Sequence, residues 1–120
     1  MSLDVSLCEA RECPHCHGPV SSGYRLFDQN ITHNLNDMAE AAGIYMHLWR
    51  PDEMVPPIAT AAQLIDPLAD ALALLLREPD RFRPLSPKNG WGSYEGLLEF
   101  VSSYLRACRE NPTAIVEVSR

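Results

Sequence analysis

The residues best placed for chemistry are Cys13-Pro14-His15-Cys16, followed by His17-Gly18-Pro19. Two thiolates separated by two residues reach one tetrahedral ion from a tight turn, at about 2.3 Å per zinc–sulfur bond. Pro14 presets that turn, and Gly18 lets the chain leave it in a backbone conformation that other residues avoid. Two sulfurs are half of a zinc site. Cys8, His15, His17 and, farther along, His33 are the residues that could complete it, and Cys13, Cys16, His17 and His33 form the candidate metal set. No second Cys-x-x-Cys pair follows, so a reduced turn without metal is the competing reading. The fourth cysteine, Cys108, continues the series Tyr94, Leu97, Leu98, Val101, Tyr104, Leu105 at helical spacing and reads as core, where a free cysteine packs as a small hydrophobe.

The tetrapeptide Cys13-Pro14-His15-Cys16 also resembles the active site of strongly oxidising thiol oxidoreductases of the thioredoxin superfamily. That chemistry needs the first cysteine at a helix N-terminus, with the helix running on past the second. Here His17-Gly18-Pro19 follows, and the residue before a proline is driven out of the helical region. Only twelve residues precede Cys13, too few for a βαβ unit, so redox catalysis is not expected.

Two polar segments offer a different chemistry. Asn30-Ile31-Thr32-His33-Asn34 puts amides, a hydroxyl and an imidazole where a strand turns into a helix, beside the free N–H groups that attract anions and carboxylates. A plain helix cap is the alternative. In Asn89-Gly90-Trp91-Gly92-Ser93-Tyr94, two glycines flank a tryptophan just before a helix. They permit positive φ and close backbone approach, leaving Trp91 either as an aromatic lip for a planar group or as a plug in the core. The candidate ligand-binding residues are Asn30, Thr32, His33, Asn34, Asn89, Trp91 and Tyr94; no catalytic residue is assigned.

The elements that must position these residues follow from periodicity. Leu3–Leu7 alternates as a half-buried strand, and Gly23–Ile31 reads as a second strand returning beside it. Leu35, Met38, Ala39, Ala42, Met46 and Trp49 recur at helical spacing, which predicts one amphipathic helix capped by Asn34 and ended by Arg50 before Pro51. Pro51–Pro57 is a proline-rich connection. Thr60–Arg77 is helical but interrupted at Asp66-Pro67, so Asp66 is expected to cap a new helix. Pro79–Gly92 reads as a loop, Ser93 caps a helix over Tyr94–Glu110, and Ala114–Arg120 closes the chain as a strand. The expected fold is α+β: one domain over residues 1–120, a cysteine turn at 8–19, and a small antiparallel sheet of about three strands covered by three helices.

Composition bounds the function. The chain has 120 residues with a formal net charge of −6, against general nucleic-acid binding, since phosphate neutralisation supplies most of that affinity. Its longest apolar run, Ala71–Leu76, is far too short to span a bilayer, and Met1–Val5 lacks the features of a secretory signal. A cytoplasmic location is expected, and with it reduced thiols.

The blocks Cys13–Cys16, Asn30–Asn34, Leu48-Trp49-Arg50-Pro51, Asn89–Gly96 and Val118-Ser119-Arg120 together resemble a family of small uncharacterised bacterial and phage proteins. The resemblance implies a single domain carrying these blocks and transfers no catalytic residue; Cys8 departs from its pattern. Three functions remain in view. The first is a non-enzymatic binding protein with a polar pocket between the two polar segments, braced by a zinc knuckle. Its ligand would be small and polar or nucleotide-like, or a host protein. The second is a zinc-dependent hydrolase using Cys13, Cys16 and His33, with Asp28 or Glu95 as base. The third is a protein-interaction module without a small-molecule site.

Overall fold

Leu3, Val5 and Leu7 alternate with Ser2, Asp4 and Ser6, and that period of two builds the central strand. In the computed structural model, which describes residues 2–120, β1 spans Ser2–Glu12 and β2 spans Pro19–Thr32. They form one long antiparallel hairpin, with Ser2 opposite Thr32 at the open end and Glu12 opposite Pro19 at the closed end. The third strand, β3 (Ile115–Ser119), lies antiparallel on the other side of β1, so the order is β2-β1-β3. This is the α+β arrangement read from the sequence, with an N-terminal hairpin and a C-terminal strand. The hairpin is longer than expected, and the cysteine turn shrinks from residues 8–19 to residues 13–18. Cys8 falls inside β1 instead, where it is buried.

One face of the sheet carries Leu3, Val5, Leu7, Phe27, Ile31, Val116 and Val118 into the core. Two long helices cover it, α3 (Ala62–Arg77) and α5 (Tyr94–Glu110). Tyr104 of α5 stacks on Phe27, with ring centroids 6.0 Å apart, and Gln29 Nε2 donates to the Phe100 carbonyl at 2.9 Å. Cys108 is fully buried on the same helix, and desolvation pushes its thiol up to about 12, as its core placement requires. Ser93 Oγ accepts the Gly96 N–H at 3.0 Å and caps α5. The opposite face of the sheet is polar: Asp4 stands between Asn30 and Ser119, and Ser6 between Asp28 and Glu117.

The remaining helices differ from the sequence reading for local reasons. Asn34 is not the cap of one long helix. Thr32 Oγ1 accepts the Asn34 N–H at 3.3 Å and starts a single 3-10 turn, His33–Leu35, before α1 (Asn36–Ala41). Gly43 then takes a left-handed φ of +77° and breaks the path, so Tyr45–Trp49 forms a separate short helix, α2. At Pro67 the expected break does not occur, and α3 runs through it. Proline there gives up the bond to the Gln63 carbonyl, while the Gln63 side chain secures the helix start by accepting the Ala59 and Thr60 N–H groups at 2.7 and 2.9 Å. The segment read as the loop Pro79–Gly92 contains a further turn of helix, α4 (Pro79–Phe82), whose Phe82 is fully buried. Among the described residues, no helix is long and apolar enough to cross a membrane.

Candidate functional site

At the open end of the hairpin, β2 passes directly into the 3-10 turn, so Asn30, Thr32, His33 and Asn34 fan out within five residues. The loop before α5 reaches the same place. Gly92 adopts φ +105°, and a Cβ built on it would lie 2.8 Å from Thr32 Cγ2 and 3.0 Å from Leu35 Cγ. Only a glycine permits that approach. One residue earlier, the Trp91 N–H donates to Asn89 Oδ1 at 2.9 Å, a local turn that aims the indole outward. The indole is 70% exposed, so Trp91 is no core plug.

These segments frame a hollow of about 660 Å³ lined by Ser2, Asn30, Thr32, His33, Asn34 and Trp91. Five of the seven sequence-predicted ligand residues meet there. Asn89 shapes the loop without lining the hollow, and Tyr94 belongs to the interior. The Tyr94 hydroxyl donates to the Leu75 carbonyl at 2.5 Å, and its ring lies 5.2 Å from the Arg83 guanidinium. Ser2 was not foreseen; placing β1 and β2 in register would have shown it opposite Thr32.

His33 is held from behind. Trp49 Nε1 donates to His33 Nδ1 at 2.8 Å, which requires a lone pair on Nδ1 and puts the ring proton of the neutral imidazole on Nε2. The hollow therefore offers an imidazole N–H, two amides, hydroxyls and an indole plate. Among the described residues, no carboxylate, thiol or cationic chain lines it.

The other candidate centre lies at the far end. Glu12 lies ten steps along β1 from Ser2, so His33 stands roughly 30 Å from the cysteine turn at about 3.3 Å per residue. His33 cannot share an ion with Cys13 and Cys16 of the same chain, and its Nδ1 lone pair already serves Trp49. The grouping weighed for a hydrolase is dispersed for the same reason. Asp28 lies on the polar sheet face, and Glu95 pairs with Arg83 at 3.5 Å.

In the turn itself, the Cys13 N–H donates to the Gly18 carbonyl at 2.8 Å and the His17 N–H to the Cys13 carbonyl at 2.9 Å. His17 sits at φ +62°, and its Nδ1 lies 2.8 Å from Glu12 Oε1. The backbone N–H groups of Cys16 and His15, then the Cys16 thiol, hold the Cys13 thiol below its ordinary value. Cys8 lies elsewhere, its Sγ 3.4 Å from Glu117 Oε2, and burial is the main cause raising its thiol. Among the described residues, no three His, Cys, Asp or Glu side chains gather where one ion could bind them.

The chain matches no protein-family model, no curated protein and no solved structure, so the site is read from its own geometry.

Proposed function

We propose that this protein is a non-enzymatic binding module whose hollow takes a small planar polar molecule of the nucleobase or nucleoside type. The observation that carries the reading is the convergence of an exposed indole with Asn30, Thr32, His33 and Asn34 around one hollow of about 660 Å³. Stacking on an aromatic face contributes about 1–3 kcal/mol per base, and amide side chains pair with base edges through donors and acceptors at once. Among the described residues the lining supplies no cation to neutralise phosphates, which favours a neutral base or nucleoside over a polyphosphate. Binding without catalysis is supported by His33: with Nδ1 engaged and Nε2 protonated, it has no lone pair left to act as a base.

Trp91 is the exposed member of the two tryptophans, Trp49 being 3% exposed, so intrinsic fluorescence reports on the hollow. Titration with adenosine, guanosine, cytidine and uridine should quench the emission for at least one of them, and Trp91→Phe should abolish the response. No response to any of the four, or to their free bases, up to millimolar concentration would refute the reading.

A second reading, contact with another protein, is favoured by Tyr24 and Leu26, which are 65% and 42% exposed on the edge strand β2. A co-complex burying at least about 1,000 Å² over that strand would support it.

A further inference from the structure

We propose that the hairpin tip is half of a zinc site, completed by the same half-site of a second copy of this chain through Cys13 and Cys16 of each. The proposal is independent of the hollow at the other end.

The turn is built for sulfur ligation. Its two closing hydrogen bonds and the left-handed His17 fold residues 13–18 back on themselves into a tight turn, the kind from which two thiolates two residues apart reach one tetrahedral ion. The left-handed residue of the turn is His17 rather than Gly18, where an added Cβ would meet Cys16 Sγ at an ordinary contact distance of 3.6 Å.

Among the described residues, this chain gathers only two ligands at the turn. Cys8 and Cys108 are buried in the sheet and core, and His33 is at the opposite end of the hairpin. His17 is drawn by Nδ1 to Glu12, and neither it nor the exposed His15 joins the two cysteines in a group of three ligands among the described residues. Zinc in a structural site takes four ligands in a tetrahedron. Two positions must therefore be filled from outside, and a two-fold pairing of identical turns fills both.

The tip is also free to meet its copy. Beyond Leu7 and Phe27 the hairpin carries mostly exposed residues, and the molecule measures 49 × 27 × 24 Å. The overall charge of −6 would oppose self-association, but residues 9–25 balance Glu9 and Glu12 against Arg11 and Arg25. Tip-to-tip approach therefore brings together two segments without net charge. The step is ligand exchange alone: one Zn²⁺ binds four thiols, four protons leave, and no oxidant is consumed.

The test is zinc chloride added to reduced, chelator-treated protein, followed by light scattering after gel filtration and elemental analysis. The expected result is a dimer holding one zinc per two chains, dispersed again by chelator. Co²⁺ in place of zinc should give the sulfur-to-cobalt charge-transfer band of a tetrahedral thiolate site. Cys13→Ser and Cys16→Ser should each remain monomeric with unchanged circular dichroism, whereas His17→Ala should still dimerise. A monomer with zinc added, a monomer carrying one zinc per chain, or loss of dimerisation in His17→Ala would overturn the proposal.

Discussion

Replacing Gly92 by alanine tests the contact on which the hollow depends. At φ +105° an L-residue is strained, costing on the order of 1–3 kcal/mol. The new methyl would also meet Thr32 Cγ2 at 2.8 Å and Leu35 at 3.0 and 3.2 Å, and overpacking of that kind costs about 1–3 kcal/mol more. Gly90→Ala is the internal control. Its φ is +80°, but nothing lies within 4 Å of the added carbon, so only the backbone part applies. Urea denaturation should show Gly92→Ala losing about 2–6 kcal/mol and Gly90→Ala about half of that or less, with unchanged m-values. Thr32→Ser removes the closest methyl and keeps the hydroxyl that accepts the Asn34 N–H. Combined with Gly92→Ala, it should recover about 1 kcal/mol, giving a coupling energy typical of residues in contact. Equal losses for the two glycine variants, with no rescue by Thr32→Ser, would mean that the loop does not rest on the strand–helix junction. The hollow would then not be framed by the two segments.

Trp91→Ala should leave stability within about 0.5 kcal/mol of the parent, because the indole is mostly exposed, while removing the nucleoside response in calorimetry. Tyr94→Phe should do the reverse, losing about 1–2 kcal/mol with the hydrogen bond to Leu75 while leaving ligand affinity unchanged. Tyr104→Phe should raise the urea midpoint, since the buried Tyr104 hydroxyl has no partner among the described residues and its removal relieves about 1 kcal/mol of desolvation. His47, half-buried against α3 in a hollow shared with Asp66, Asp70 and Arg77, is held by desolvation below its ordinary 6.5. The unfolded chain therefore binds the extra proton first, so stability should rise with pH up to about 6.5 and then level off. His47→Gln should flatten that slope in pH-resolved urea melts.

The sheet was legible because alternation in Leu3–Leu7 and the β-rich Ala114–Arg120 segment are local signals, and α5 because Ser93 and a clean apolar stripe mark it. The split at Gly43 was also written in the chain, but the helical spacing of Met46 and Trp49 masked it. Pro67 misled for a physical reason: packing of α3 against α5, and a Gln63 side chain that secures its first turn, outweigh one missing N–H. Five residues of the hollow were found because polar groups clustered at element junctions. Ser2 was missed because a single serine beside a strand carries no signal until the hairpin register is known. His33 was misplaced as a ligand for the same reason: the long hairpin that separates it from Cys13 appears only once the strands are paired.

The arrangement of β1 between its two partners has a consequence for how the sheet opens. The β1–β2 turn closes over six residues, whereas Cys8 and Ile115, paired across β1 and β3, lie 107 residues apart. By chain-closure entropy the second pairing costs about 2.5 kcal/mol more to form. Besides the ladder, β3 is fastened by the Val116 N–H, which donates to the Ala59 carbonyl at 2.9 Å, and by Arg120, whose Nη1 donates to the Trp49 carbonyl at 2.8 Å and lies 3.3 Å from Asp52 Oδ1. Fraying therefore begins at β3, baring one edge of the central strand while the hairpin stays zipped. The vacated edge accepts an identical strand from a neighbour as readily as its own, so exchange of β3 between copies is the misassembly this topology must resist at high concentration.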